Sequence, residues 1–258
     1  MPSKSEIGFV RSLHQKKFRH GNNLFLTEGK KTMEELLLSG YHVKTIYALG
    51  DFAEELVKRF PDKTKGKVSI VSEKELQKIS TLTTAQECVA VVEIPERKID
   101  FRLMASTVTL ALDNISDPGN LGTIIRTAHW FGIETVICSE QCVEIYNPKV
   151  VQAAMGSLFF VNVIQTNLDE VFTSVKNGLP IYGTVLNGKN IYESNLKPPA
   201  IILLGNESTG IGKELKPFIT HPVTIPIQVK KGKHQPDSLN VATAAAIVCA
   251  EITKTLKQ

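Results

Sequence analysis

From residue 107 onward the chain alternates short apolar runs with stretches of helical period, and few folds accept that pattern. The runs are 107–112, 133–138, 159–164, 181–185, 201–204 and 223–227. Between and after them the periodicity predicts helices near 121–131, 148–156, 168–177, 210–219 and 238–257. Apolar strands separated by helices predict an α/β class: a mainly parallel sheet with helices on both faces. The final stretch, SLNVATAAAIVCAEITKTLK, is rich in alanine and carries a long apolar face, so it should pack deeply.

The first part alternates on a smaller scale. A basic helix is predicted over 5–19, broken by Gly21-Asn22-Asn23, then strands at 24–27, 43–49, 68–71 and 88–94. Helices are predicted at 30–39, 52–60 and 73–80, the last with Ser72 as its cap, and a charged loop at 62–67. This makes a compact α/β unit of about ninety residues. The expected division is a domain over 1–95, a charged linker over 96–104 and a second domain over 105–258.

A hydrophobic content of 42% is enough for a real core. No apolar run is long enough to span a bilayer, and the polar, basic opening lacks the apolar centre of a secretory signal. Cys88, Cys138, Cys142 and Cys249 form no C-x-x-C pair, so neither a zinc site nor a disulfide framework is indicated. The expectation is a reduced, cytoplasmic protein without a membrane partner. The net charge of +4 is unevenly spread. Residues 1–31 hold Lys4, Arg11, Lys16, Lys17, Arg19, Lys30 and Lys31 against only Glu6 and Glu28, and Lys230, Lys231 and Lys233 form a second cluster. Such patches suit a polyanion such as RNA, or are simply a solvated surface.

Polar chemistry gathers after three of the apolar runs. The first stretch is DNISDPGNLGTIIRTAHW, 113–130. Pro118 and Gly119 make a turn, Asn120 suits a helix N-cap, and Arg126 follows on the opening turns. The second is LLGNESTGIG, 203–212, and the third IPIQVKKGKHQPDSLNV, 225–241. Loops at the carboxyl ends of parallel strands share one edge, where ligands bind. Asn120, Arg126, Glu207, Ser238 and Asn240 could therefore meet, although a plain strand–turn–helix with a surface arginine fits the first stretch equally. No G-x-G-x-x-G and no phosphate-binding P-loop is present. Asn206-Glu207-Ser208-Thr209-Gly210 imitates a hydrolase nucleophile elbow, but that triad needs an acid and then a histidine after the serine, and no histidine follows Asp237.

These three stretches resemble the motifs of the SpoU/TrmH family of RNA ribose 2′-O-methyltransferases. The first is matched by Asn114, Pro118, Asn120, Leu121, Gly122 and Arg126, the second by Leu204, Gly205, Glu207, Gly210 and Ile211, and the third by Ile225, Pro226, Ser238, Leu239, Asn240 and Val241. The basic opening helix and Leu26-Thr27-Glu28-Gly29 resemble, more loosely, the substrate-binding domain of ribosomal-RNA members. The resemblance implies a C-terminal trefoil knot, which general topology rules would not suggest. It implies a homodimer and S-adenosylmethionine as cofactor, with no metal. Gly205 would let backbone approach the cofactor, and Leu186, Ile225, Ile227 and Leu239 would wall the adenine or serve as plain core.

The resemblance assigns Arg126 to the reacting 2′-hydroxyl. A guanidinium stays protonated, so a role in clamping phosphate and stabilising the developing alkoxide is preferred over that of free base. Asn120, Ser238 and Asn240 would orient Arg126 and the ribose. Glu207 would anchor an N–H or the arginine, or simply hold its own loop. Arg11, Lys16, Lys17 and Arg19 would engage the RNA. The ten residues 228–237 are longer than in many relatives. They would contact RNA, act as a lid or lie unordered, with His234 a possible base. The resulting expectation is methyl transfer to a ribose of structured RNA, ribosomal before transfer RNA. The alternatives are a tRNA enzyme, a non-catalytic assembly factor on the same fold, or an enzyme of resistance type.

Overall fold

A computed structural model describes residues 2–175, 178–229, 234 and 236–254. They form two compact units. One contains 1–96 and Tyr146–Phe160, the other Arg97–Ile145 and the chain from Val161 onward.

In the first unit, helices α1 (Lys4–Ser12) and α2 (Lys16–Asn22) precede β1 (Leu24–Glu28), α3 (Lys30–Leu38), β2 (Val43–Ala48), α4 (Gly50–Arg59), α5 (Pro61–Thr64), β3 (Val68–Ile70), α6 (Glu73–Ile79) and β4 (Cys88–Glu93). The sheet order is β1-β4-β2-β3, with only the β2–β3 pair parallel. Ser72 caps α6 in a reciprocal box with Glu75. The single helix expected over 5–19 is two. From within α2, Arg19, only 2% exposed, donates from Nη1 to the carbonyls of Leu13 and His14 between the helices at 2.9 and 2.7 Å. His14 Nε2 also lies 2.8 Å from the Ile79 carbonyl. These bonds take the carbonyls that a continuous helix would use, so the chain turns. The loop expected over 62–67 opens with α5, where Pro61 sits at a first-turn position that needs no N–H.

The second unit starts with α7 (Phe101–Met104) and β5 (Val108–Leu112), followed by α8 (Pro118–Trp130) and β6 (Thr135–Cys138). The chain then contributes α9 (Pro148–Ala154) to the first unit and returns as β7 (Asn162–Gln165), α10 (Leu168–Val175), β8 (Ile181–Asn190), β9 (Ala200–Leu204), β10 (His221–Thr224) and α11 (Val241–Thr253). The order β10-β8-β9-β5-β6-β7 is parallel throughout. Each expected strand is present with shifted ends. The run at 159 begins instead as a 3-10 turn, Ser157–Phe159. No α-helix forms over 210–219: Gly210 holds φ +67°, and only a 3-10 turn at Lys216–Phe218 remains. α8 packs on α11, whose Val241, Ala242, Ala245, Val248, Cys249 and Ile252 are buried.

This topology positions the polar loops. β5 is the first strand of its sheet in the chain, yet lies between β6 and β9. The direction of winding reverses there, and the loops leaving β5 and β9 start side by side: Leu112 pairs with Leu204, and Asp113 N–H donates to the Leu204 carbonyl at 2.9 Å. Among the described residues, no helix is long and apolar enough to cross a membrane.

Candidate active site

The loop after β5 is built to end in a helix. Asp117, not Asn120, is the N-cap of α8. Its Oδ1 accepts from Asn120 N–H at 2.7 Å, with Pro118 opening the first turn. The capping role expected of Asn120 is thus filled three residues earlier, which frees its side-chain amide. That amide donates to Glu207 Oε1 at 2.9 Å.

Glu207 comes from the loop after β9. Asn206 and Gly210 close that loop with two backbone bonds, 3.2 and 2.8 Å. A Cβ at Gly205 would stand 2.4 Å from backbone atoms of Gly210 and Ile211, so glycine is required there by the loop's own return. Glu207 Oε1 also accepts from Asn240 Nδ2 at 2.8 Å and from Val241 N–H at 3.0 Å. Asn240 Nδ2 donates to Asn120 Oδ1 at 2.9 Å, and its Oδ1 caps α11 by accepting from Ala242 and Thr243 N–H. Three loops, distant in the chain, close on one carboxylate oxygen.

Arg126 and Ser238 do not join this cluster. Both are exposed and make no side-chain hydrogen bond or ion pair among the described residues. Arg126 lies six residues past Asn120, about 9 Å along the α8 axis and on a different face. Leu186 is 74% exposed, Ile227 50% and Leu239 45%, while Ile225 is half-buried. The plain-core alternative therefore fails for the first three. Arg11, Lys16 and Lys17 are exposed, but Arg19 is not: its guanidinium is buried and spent on backbone carbonyls. His234 is exposed, and Lys230, Lys231 and Lys233 lie outside the described residues.

Two residues that were not singled out support the arrangement. Asp113, buried at the end of β5, accepts from Gly212 N–H at 2.8 Å. Asn206 Nδ2 donates to the Asn114 carbonyl at 2.9 Å. A buried acid directly after an apolar strand was the available signal for Asp113. Beneath the same loop, Ile115 N–H donates to Cys142 Sγ at 3.2 Å. A hydrogen bond from Cys138 leads the effects that lower Cys142 to about 7, against the opposing push of burial.

Residues 107–250 match the model of the SpoU rRNA methylase family, and 4–90 match an MRM3-like substrate-binding domain. The chain is 32% identical to the 23S rRNA (guanosine(2553)-2′-O)-methyltransferase of Bacillus subtilis over 242 residues, 92% of each protein. A putative RNA methyltransferase of the TrmH family from Porphyromonas gingivalis superposes with a TM-score of 0.85 at 35% identity, covering 97% of this chain and 98% of that one. An AdoMet-bound rRNA methyltransferase from Sinorhizobium meliloti gives 0.85 at 28% identity, covering 100% and 98%. The chain belongs to the SpoU rRNA methylase family and is an S-adenosylmethionine-dependent RNA 2′-O-ribose methyltransferase.

Proposed function

We propose that this protein methylates a ribose 2′-hydroxyl at one position of structured ribosomal RNA. The observation that carries the reading is the closure of Asn120, Asn240 and Val241 on Glu207 Oε1, which joins the loops after β5, β9 and β10 into one rigid floor. The match of 4–90 to a substrate-binding domain and the ribosomal substrates named for its relatives support ribosomal over transfer RNA.

When bound, S-adenosylmethionine supplies a methyl group already activated on a sulfonium. The chain's own residues do the rest. Leu186, Ile225, Ile227 and Leu239 would enclose the adenine, and Gly205 would let backbone approach the cofactor. Arg126 is free of protein partners among the described residues, so its guanidinium is available to an RNA phosphate and to the oxygen that gains charge as the hydroxyl loses its proton. Because arginine stays protonated, the proton leaves to a different acceptor. Asn120, Ser238 and Asn240 orient the ribose, and Arg11, Lys16 and Lys17 hold phosphates on the first unit.

We also infer a cytoplasmic homodimer with a knotted C-terminal segment. Trp130, 84% exposed on α8, is an apolar surface of the kind a second copy covers. The β8–β10 ladder skips from Gly183 to Lys189, and a Cβ at Gly188 would stand 2.4 Å from Val223 backbone, consistent with β8 looping closely past β10.

The test maps 2′-O-methyl groups in ribosomal RNA from cells with the gene deleted and restored. One ribose methylation should vanish and return. Methylation of a base, or of transfer RNA alone, would overturn the proposal.

A further inference from the structure

The stretch that opens with Asn206-Glu207-Ser208 imitates a hydrolase elbow in sequence, and the structure gives its first residue a different task. All the polar atoms of the Asn206 side chain are engaged. Oδ1 accepts from Ser208 and Thr209 N–H at 2.9 and 3.2 Å, an ordinary turn that shapes its own loop. Nδ2 does something a local turn does not need: it reaches the carbonyl of Asn114, 92 positions earlier, at 2.9 Å.

That carbonyl is itself fixed. Asn114 holds φ +55°, and its N–H donates to Ser139 Oγ at 2.9 Å. Asp113 ties the far end of the same loop through Gly212 N–H. The 205–212 loop is thus fastened at 206 and at 212, and Glu207 is the residue directly after the first fastening. Both fastenings hold the segment that presents its carboxylate to Asn120, Asn240 and Val241.

We propose that Asn206 is a positioning residue for methyl transfer, acting through Glu207 by bolting the second loop to the backbone of the first. The inference rests on the placement of Glu207 in the site proposed above. It makes a specific demand on the side chain. A carboxamide is needed because one end must accept twice while the other donates. Aspartate has the same shape and keeps the two turn bonds, but turns the third into an oxygen facing the Asn114 carbonyl.

The experiment compares wild type, Asn206→Asp, Glu207→Ala and the double variant. Single-turnover and steady-state methyl transfer from labelled S-adenosylmethionine are measured on ribosomal RNA from cells lacking the gene, alongside thermal melting. Asn206→Asp should lower kcat by between about tenfold and a hundredfold, with the RNA KM and the melting temperature little changed. In the Glu207→Ala background the same substitution should cost almost nothing more, since the group it positions is gone. Wild-type turnover by Asn206→Asp, beside an impaired Glu207→Ala, would overturn the inference alone. So would a loss that repeats in full in the double variant, because Asn206 would then act on the fold and not through Glu207. Should Asn206→Asp melt early, Asn206→Ser, which removes the mismatched oxygen, replaces it under the same criteria. Full activity of Glu207→Ala would instead overturn the reading of the site on which this rests.

Discussion

Arg126 stands apart from the cluster of Asn120, Glu207 and Asn240, because nothing in the described protein holds its guanidinium. A side chain with five donors and no partner loses little when removed from the free protein and much when its anion is present. Arg126→Ala should therefore leave melting and cofactor binding intact and lower turnover by on the order of a hundredfold or more. Arg126→Lys should recover only part, since an ammonium cannot offer two parallel donors to a phosphate. Titration calorimetry with S-adenosylmethionine and a methyl-transfer assay check both. The cysteines make a second residue-scale case, and here the sign needs working out. The hydrogen bond between Cys138 and Cys142 lowers Cys142 to about 7 and raises Cys138 in return, so the folded pair gives up its first proton more readily than two free thiols do. That stability is present above the unfolded value near 9 and is lost as pH falls through 7. Burial raises Cys88 and Cys249 to about 12, so their contribution runs the other way: full below 9, lost as pH rises toward 12. Melting followed from pH 7 to 11 should show both slopes. Cys142→Ser should flatten the lower one, and Cys249→Ala should soften the upper one.

Among the elements, α11 shows how a single residue serves fold and site together. Asn240 caps the helix with Oδ1 and joins the site with Nδ2. Asn240→Ser keeps a good cap and removes both outward donors without placing a charge against Glu207. Asn240→Ala removes cap and donors alike, and the cap alone is worth about 1 kcal/mol. Asn240→Ser should thus melt closer to wild type than Asn240→Ala does, while both lose methyl transfer. Equal melting of the two would show that the cap is not what holds α11. The same element explains what could be read in advance. The central strands β5, β6 and β9 were legible because each is buried along its whole length and reads as a nearly unbroken apolar run. The meeting of Asn120, Glu207 and Asn240 was legible because parallel strands deliver their loops to one edge. Three features were not. The helix expected over 210–219 fails on the positive φ of Gly210, a choice set by the close return of the loop onto Gly205. The helix expected over 5–19 is cut by bonds from Arg19 and His14 that exist only in the folded unit, and those bonds also remove Arg19 from the surface. Asn120 looked like a cap because it precedes the first apolar helical residue, yet Asp117 had the better position.

On the scale of the whole molecule, the order of the chain and the order of packing differ. Tyr146–Phe160 lies between β6 and β7 in sequence but packs with the first unit. The reason is aromatic. Phe25 of β1 packs against Tyr146 with the rings tilted and 4.7 Å apart and meets Tyr41 edge-on at 6.0 Å, while Tyr41 meets Phe159 at 5.2 Å. The Tyr41 hydroxyl donates to the Leu158 carbonyl at 3.2 Å. Gly156, at φ +88°, has room for no side chain, since a Cβ there would stand 2.8 Å from that of Glu35. The small sheet therefore completes its core with a segment borrowed from the middle of the other unit's sequence. It follows that the first unit's stability depends on a residue far outside the stretch that matches a substrate-binding domain. Tyr146→Ala should destabilise it by about 3 kcal/mol, the range for removing a buried aromatic ring. Tyr146→Phe, which keeps the ring on Phe25 and gives up a hydroxyl contact of 3.4 Å to Tyr41, should cost under about 1 kcal/mol. Hydrogen exchange read strand by strand would locate the effect. Faster exchange in β1 and β4, with β5 and β9 unchanged, is expected for Tyr146→Ala. Loss of protection confined to β6 and β7 would mean that the segment answers to its neighbours in sequence and not to the aromatic ring it covers.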